Sequence, residues 1–285
     1  MWIILAIGSA VFAGLAAVLA KCGLKDMDST VATAYRIVFV VLFTCIAVAI
    51  NGSYVEIGSI DDRTWLFLVL SGLTTGASWL CFFKALQLGN VNKVVPVDKT
   101  SNVIAILLAI IILGEMLSPI GFFGVALILI GTLMMVEMKD VKEVKERSGW
   151  LFFAIGSAVF AALTSTLGKI GVSGVDPVLG TAIRTVVVLV MTWAMVFLMR
   201  KQHQVVEVER KDVLFIILFG LARAVSWICF FGALQTGPAS IIVPIDKLSI
   251  LVTVLFAYLI FKEKLSKKSA IGLAGIVAGT LLLLF

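Results

Sequence analysis

The chain has 285 residues, 61% of them hydrophobic and only 14% charged, with a mean hydropathy of +1.14 and a formal net charge of +6. Soluble globular domains average about 45–50% apolar and about 25% charged residues, so this composition excludes an ordinary soluble domain and points to a polytopic membrane protein. The positive charge falls mostly in short connections between apolar runs, where it carries topology information and does not read as a nucleic-acid surface.

A membrane span needs about 20 mostly apolar residues. Ten segments qualify in chain order: 2–20, 30–50, 64–88, 93–113, 117–137, 149–169, 178–199, 213–236, 239–261 and 266–285. The predicted fold class is therefore all-α, with ten transmembrane helices. Residues 1–20 lack a basic leading region and a cleavage site, so they read as a first span and not as a signal peptide. Short connections imply antiparallel neighbours; the longest polar stretches are Lys139 to Ser148 and Arg200 to Asp212. Cys22, Cys45, Cys81 and Cys229 lie in or beside apolar runs, with no metal-binding or disulfide spacing.

Displaced by 148 positions, the chain matches itself without a gap. Ala6-Ile7-Gly8-Ser9-Ala10-Val11-Phe12-Ala13 falls on Ala154-Ile155-Gly156-Ser157-Ala158-Val159-Phe160-Ala161, Lys21 on Lys169, Arg36 on Arg184, and Glu115 on Glu263. Ser78-Trp79 falls on Ser226-Trp227, and Val94-Val95-Pro96-Val97-Asp98-Lys99 on Ile242-Val243-Pro244-Ile245-Asp246-Lys247. Each unit, 1–140 and 149–285, holds five spans. An odd number sends the second unit into the membrane in the opposite direction. The bases agree with this. The first, third, fifth, seventh and ninth connections carry fifteen lysines and arginines, from Lys21 to Lys268, against Arg63 and Lys169 on the other side. The positive-inside rule then places the basic side in the cytoplasm and both termini outside. Inverted repeats with a site at their interface are a transporter architecture.

These residues also resemble a known family. An early Gly-Ser-Ala followed by a helix-end lysine, the runs Ser78 to Gly89 and Ser226 to Gly237, the Pro-x-Asp-Lys motifs, and the closing Glu115 and Glu263 with Leu-Ser after them are similar to the EamA family of the drug/metabolite transporter superfamily. The resemblance covers nearly the whole chain, once per half. It implies ten helices as two inverted five-helix repeats, a central polar cavity, alternating access and small-metabolite traffic. Ten-helix members of that family commonly keep their termini in the cytoplasm, whereas the lysines here argue for the reverse. The single unit resembles stand-alone five-helix members, so the chain looks like a fused pair.

Candidate residues follow from cost. A charge in hydrocarbon costs at least about 2.5–3.5 kcal/mol on insertion scales, so Asp98, Lys99, Asp246 and Lys247 are expected to bind substrate or couple transport to an ion. Successive helix positions turn by about 100°, so one member of each pair should line a cavity while the other bridges to a neighbouring helix. The alternative is a neutralising pair that locks helix packing. Pro96 and Pro244 remove a backbone donor, which predicts a helix interruption one turn upstream. Arg36 and Arg184 either snorkel, bind Asp98 and Asp246, or anchor substrate. Trp79 and Trp227 lie deeper than an aromatic belt and either line a cavity or pack. Two positions break the repeat, Thr75 against Arg223 and Lys84 against Gly232. Arg223, near the middle of its span, fits a carboxylate or phosphate oxygen or an internal acid such as Asp98. Gly124, Gly131, Gly272, Gly275 and Gly279 read as close helix packing or a homodimer face.

The leading functional expectation is a secondary transporter moving a small polar metabolite, anionic or zwitterionic, across the cytoplasmic membrane of a bacterium or archaeon. Its partners are the bilayer and a proton or sodium ion, with no cofactor, no metal and no nucleic acid. Channel activity, or export of cationic compounds on the same fold, is the alternative. The lone His203 and the lack of nucleophile-elbow or phosphate-loop sequences argue against an enzyme and against ATP as the drive.

Overall fold

The computed structural model describes residues 1–22, 28–135, 149–204, 210–262 and 266–285. Among these residues there is no strand; twelve α-helices follow one another. The first six are α1 (Trp2–Cys22), α2 (Ser29–Asn51), α3 (Asp62–Leu88), α4 (Val91–Lys99), α5 (Ser101–Leu113) and α6 (Pro119–Met135). The second six repeat them: α7 (Trp150–Val172), α8 (Pro177–Leu198), α9 (Arg210–Thr236), α10 (Ala239–Lys247), α11 (Ser249–Phe261) and α12 (Lys267–Leu282). Eight stretches are long and apolar enough to cross a bilayer, and α6 is a shorter apolar helix. The outer surface is apolar, with Ile4, Ile111, Phe123 and Phe152 all largely exposed. Only a hydrocarbon solvent makes such a surface favourable, and in hydrocarbon every backbone polar group must be satisfied within the segment, which selects helices.

Local chemistry sets the boundaries. The Asp28 carboxylate accepts from the Thr30 amide at 2.9 Å and starts α2. At the equivalent place Asp176 accepts from the amides of Val178 and Leu179, and Pro177 opens α8. Gly52 and Gly114 end α2 and α5 in the left-handed conformation (φ +75° and +68°).

The expected spans 93–113 and 239–261 are not single helices. Each is a nine-residue helix followed by a thirteen-residue one, and the break comes after the Asp-Lys pair, at Thr100 and Leu248. This corrects the expectation that the prolines interrupt the helix one turn upstream. Pro96 and Pro244 sit inside α4 and α10. At the break the chain tightens, with Thr100 N–H donating to Val97 O and Leu248 N–H to Ile245 O. Each proline is the sixth residue of its nine-residue helix, so the donor it lacks would have reached back one turn, and the helix nonetheless runs through it to the Asp-Lys pair.

Packing respects the repeat. α3 lies along α7 as α1 lies along α9; α4 and α5 rest on α7 as α10 and α11 rest on α1; α2 meets α8 and α6 meets α12. Small residues permit the close approach. Ala6, Ser9, Ala10, Ala13 and Ala16 bury one face of α1, as Ala154, Ser157, Ala158 and Ala162 do in α7. The glycine faces are spent within the chain. A methyl on Gly131 would sit 2.5 Å from the Gly272 carbonyl, and one on Gly124 would sit 2.7 Å from the Gly279 carbonyl. A homodimer would therefore use other surface.

Connections group by parity. Lys201, after α8, bonds Asp28 before α2 at 2.7 Å. The Asp176 amide, before α8, donates to Glu56 after α2. Glu115, after α5, accepts from the amides that open α10. Odd connections thus meet odd and even meet even. Of the bases and acids that entered the topology argument, Lys25, Lys139, Lys142, Lys145, Arg147, Lys264 and Glu263 lie outside the described residues.

Candidate functional site

Between the halves is a cavity of about 610 Å³. Its wall brings together Arg36, Arg184, Arg223, Lys99, Asp246, Lys247, Trp79 and Trp227. Of the nine residues singled out from sequence, only Asp98 is not on that wall. The lining comes from the C-terminal part of α1, the N-terminal parts of α2 and α8, α3, α7 and α9, and the ends of α4 and α10.

The two acids are held alike. Ser157 of α7 donates to Asp98 Oδ1 at 2.7 Å, and Ser9 of α1 donates to Asp246 Oδ1 at 2.6 Å. Each broken helix thus hands its carboxylate to the first helix of the opposite half. The 100° argument describes the first half, where Lys99 lines the cavity and Asp98 turns to α7. It does not describe the second. There Asp246 and Lys247 both line the cavity, 3.7 Å apart. Lys99 has no ion pair among the described residues; it feels Asp98 as an attraction and Lys247 as a repulsion.

Arg184 corrects two expectations. It is 1% exposed, so it does not snorkel, and no carboxylate lies within 4 Å among the described residues. Its Nη2 donates to Thr75 Oγ1 at 2.9 Å and its Nε to Ser71 Oγ at 3.3 Å. The guanidinium stacks 4.1 Å from the Phe231 ring centre and 5.2 Å from that of Trp227. Nη1 is buried with no partner. Arg36 likewise binds no acid: Nη2 donates to the Ala20 carbonyl at 2.9 Å, and the guanidinium lies 5.1 Å from the Phe219 ring centre. Arg223 lies 5.7 Å from the same ring and is attracted by Asp246, not by Asp98. Trp79 also packs on the cluster of Ile37, Val40, Val188 and Ala224, so it is both wall and packing. Lys84 is exposed on the outer side of α3.

Sequence reasoning missed the polar partners. Ser9 and Ser157 stand in the most strictly repeated stretch of the chain, which was a usable signal. Thr75 was marked only as the repeat partner of Arg223, and Ser71 and Thr164 gave no signal, since serine and threonine in an apolar helix usually bond the preceding turn, as Thr75 also does to Ser71 O. Glu115 was noted only as a repeated residue. Its carboxylate accepts from Lys169 Nζ at 2.6 Å and from the amides of Ala239 and Ser240 at 2.7 and 2.8 Å, while Lys169 also donates to Gly237 O. Burial pushes the Glu115 carboxyl up, but these donors outweigh it and hold the group below the ordinary glutamate value. Gln235 ties α9 to the carbonyls of Val172 and Val175 at the end of α7.

Among known proteins, an uncharacterised transporter encoded in the cobO 3' region of Sinorhizobium sp. is 43% identical over 134 residues, which is 47% of this chain and 95% of that protein. A crystal structure of a protein superposes with a TM-score of 0.76 over 98% of this chain and 93% of its own, at 18% identity, a likeness of fold alone. The profile of the EamA-like transporter family matches twice, over residues 1–137 and 148–285, and so covers both halves of the apolar, repeat-built chain described above. The chain belongs to the EamA-like transporter family and is an integral membrane protein.

Proposed function

We propose that this chain is a secondary transporter whose cavity takes a small anionic or zwitterionic metabolite, an amino acid or an organic phosphate, by alternating access. The observation that carries the reading is Arg184: a buried guanidinium on the cavity wall with one nitrogen unpartnered and no acid to answer it among the described residues. A buried cation that lacks an anion is costly, and a substrate carboxylate or phosphate would supply one in bidentate fashion. The rest of the wall favours the same sign, with Arg36, Arg223, Lys99 and Lys247 against Asp246 alone. About 610 Å³ suits a metabolite of that size. A cationic compound would meet this wall unfavourably.

The proposal includes ten spans arranged as two inverted five-helix repeats. Exchange-symmetric packing and parity-matched connections support it. It also places the basic connections in the cytoplasm of a bacterial or archaeal cell and both termini outside, on the charge asymmetry. Asp98 and Asp246 are the proposed proton- or sodium-linked groups, each poised on a serine of the opposite half. The test is a thermal-shift panel of amino acids, organic phosphates and organic cations on the purified protein, followed by counterflow in liposomes with each stabilising compound. Stabilisation by anions or zwitterions with saturable exchange is expected. Stabilisation by cations alone would reverse the substrate class, and flux without saturable exchange would favour a channel.

A further inference from the structure

The two ends of the cavity are equivalent in sequence but not in state. At one end, Gly168 packs on Phe231, Thr181 is fully buried, and Arg184 is sealed onto Ser71 and Thr75. Their counterparts 148 residues earlier are Ala20, Phe83, Thr33 and Arg36; all four line the cavity, whereas of the first set Arg184 and Phe231 line it and Gly168 and Thr181 do not. One end is shut while the other is reached by the cavity. Shutting the second end as the first is shut would carry Arg36 onto the counterparts of Ser71 and Thr75. Those counterparts are Phe219 and Arg223. Where Arg184 meets a hydroxyl at 2.9 Å, Arg36 would meet a guanidinium. Arg36 and Arg223 already put like charges beside one ring, 5.1 and 5.7 Å from the Phe219 centre. Asp246 attracts Arg223 but is itself committed to Ser9 and Lys247.

We infer that Arg36 and Arg223 form a two-arginine clamp for the oxyanion of the substrate, and that this end of the cavity closes only when a carboxylate or phosphate lies between them. The inference rests on the alternating-access reading above and adds to it a residue pair and a rule. Guanidinium forks donate to opposite edges of one oxyanion, so the ligand converts a repulsion into two charge-assisted contacts. A ligand shifts an equilibrium only by its differential affinity for the two states, and here the differential is the relief of that repulsion. The empty carrier stays with this end open, so exchange outruns net flux.

The experiment needs no substrate. Thr33→Cys is placed in a chain whose Cys22, Cys45, Cys81 and Cys229 are serine, and its rate of labelling by N-ethylmaleimide is measured in detergent with no added oxyanion. Arg223→Thr recreates the hydroxyl of the shut end, so it should slow labelling by at least about threefold as the population moves to the shut state. Arg223→Lys keeps the repulsion and should label at the parent rate. Phe219→Ser with Arg223→Thr restores both residues of the shut end; it should slow labelling at least as far, and it decides the matter should the single variant not give folded protein. Parent-rate labelling in the threonine variants, or equal slowing by Arg223→Lys, overturns the clamp. Either result would leave the substrate class untouched, because the thermal-shift panel tests that class separately.

Discussion

Removing Lys169 or Glu115 should unfasten the even-numbered connections. Glu115 is 11% exposed and Lys169 22%, so neither charge is well screened by water. Lys169→Met deletes donations to Glu115 Oε1 and Gly237 O and leaves the carboxylate with two amides. Hydrogen bonds to charged groups are worth about 1.5–3 kcal/mol, and breaking a fully buried pair costs about 3–5 kcal/mol. With partial exposure, the expected loss is about 2–4 kcal/mol for Lys169→Met and similar for Glu115→Gln. The double variant strands no charge and should lose less than the sum. Protonation gives an independent readout. The folded carboxyl titrates below its unfolded value of about 4.3, so its contribution is present above that pH and disappears as pH falls through the folded value. Denaturation in detergent, followed by tryptophan fluorescence, should show the difference between wild type and Glu115→Gln shrinking below about pH 4.3. A Lys169→Met loss under about 0.5 kcal/mol, within the scatter of ordinary surface substitutions, or a difference that does not change in acid, would refute the reasoning.

Asp98→Asn and Asp246→Asn should each keep a folded protein, since an amide oxygen still accepts from Ser157 or Ser9, and at least one should abolish gradient-driven uptake; unchanged pH-dependent uptake in both singles and the double would reject a coupling role. Gly131→Ala places a methyl against the Gly272 carbonyl and the Ile276 amide, so the melting curve should report a loss of about 1–3 kcal/mol, as overpacking typically costs. Thr75→Arg sets a second guanidinium against Arg184 at the shut end, so a Thr181→Cys reporter, buried in the parent, should become reactive to maleimide; a silent reporter in folded protein would count against the repulsion argument. A fusion at Phe285 should give phosphatase activity and no fluorescence, as an extracytoplasmic terminus requires; fluorescence alone would overturn the charge-based topology.

The architecture was legible because its signals are local or periodic. Span lengths come from hydropathy, and the repeat comes from one fixed offset of 148. That offset also led to the site: residues charged at matching depths in both halves, such as Asp98 with Asp246 and Arg36 with Arg184, had to share an interior. Their partners were not legible. Ser9 is 237 residues from Asp246, and Thr75 is 109 from Arg184. Contacts that distant depend on how one half docks on the other, which no window of sequence encodes. Charge logic offered each arginine an acid as one of its possible partners. The fold instead uses hydroxyls, rings and a helix-end carbonyl, which become adequate partners once packing holds them in place. The position of the helix breaks was missed because each proline is accommodated inside its helix and the chain tightens instead after the Asp-Lys pair.

Duplication within one chain explains why the asymmetry exists at all. The 134 matched residues make up 95% of the Sinorhizobium relative, about the length of one of the two repeats described here. Two identical copies around a shared cavity would present the same side chain at both ends, and any bias between the end states would have to come from outside the sequence. Fusion frees position 75 to remain threonine while position 223 becomes arginine, and position 71 to remain serine while 219 becomes phenylalanine. The packing frame stays symmetric, as Gly89 against Trp150 and Gly237 against Trp2 illustrate. The divergence at positions 75 and 223 and at position 219 falls on residues that line the cavity. On the alternating-access proposal, a symmetric scaffold would keep both end states accessible and a varied lining would make their energies unequal, which is the condition for a ligand to decide between them.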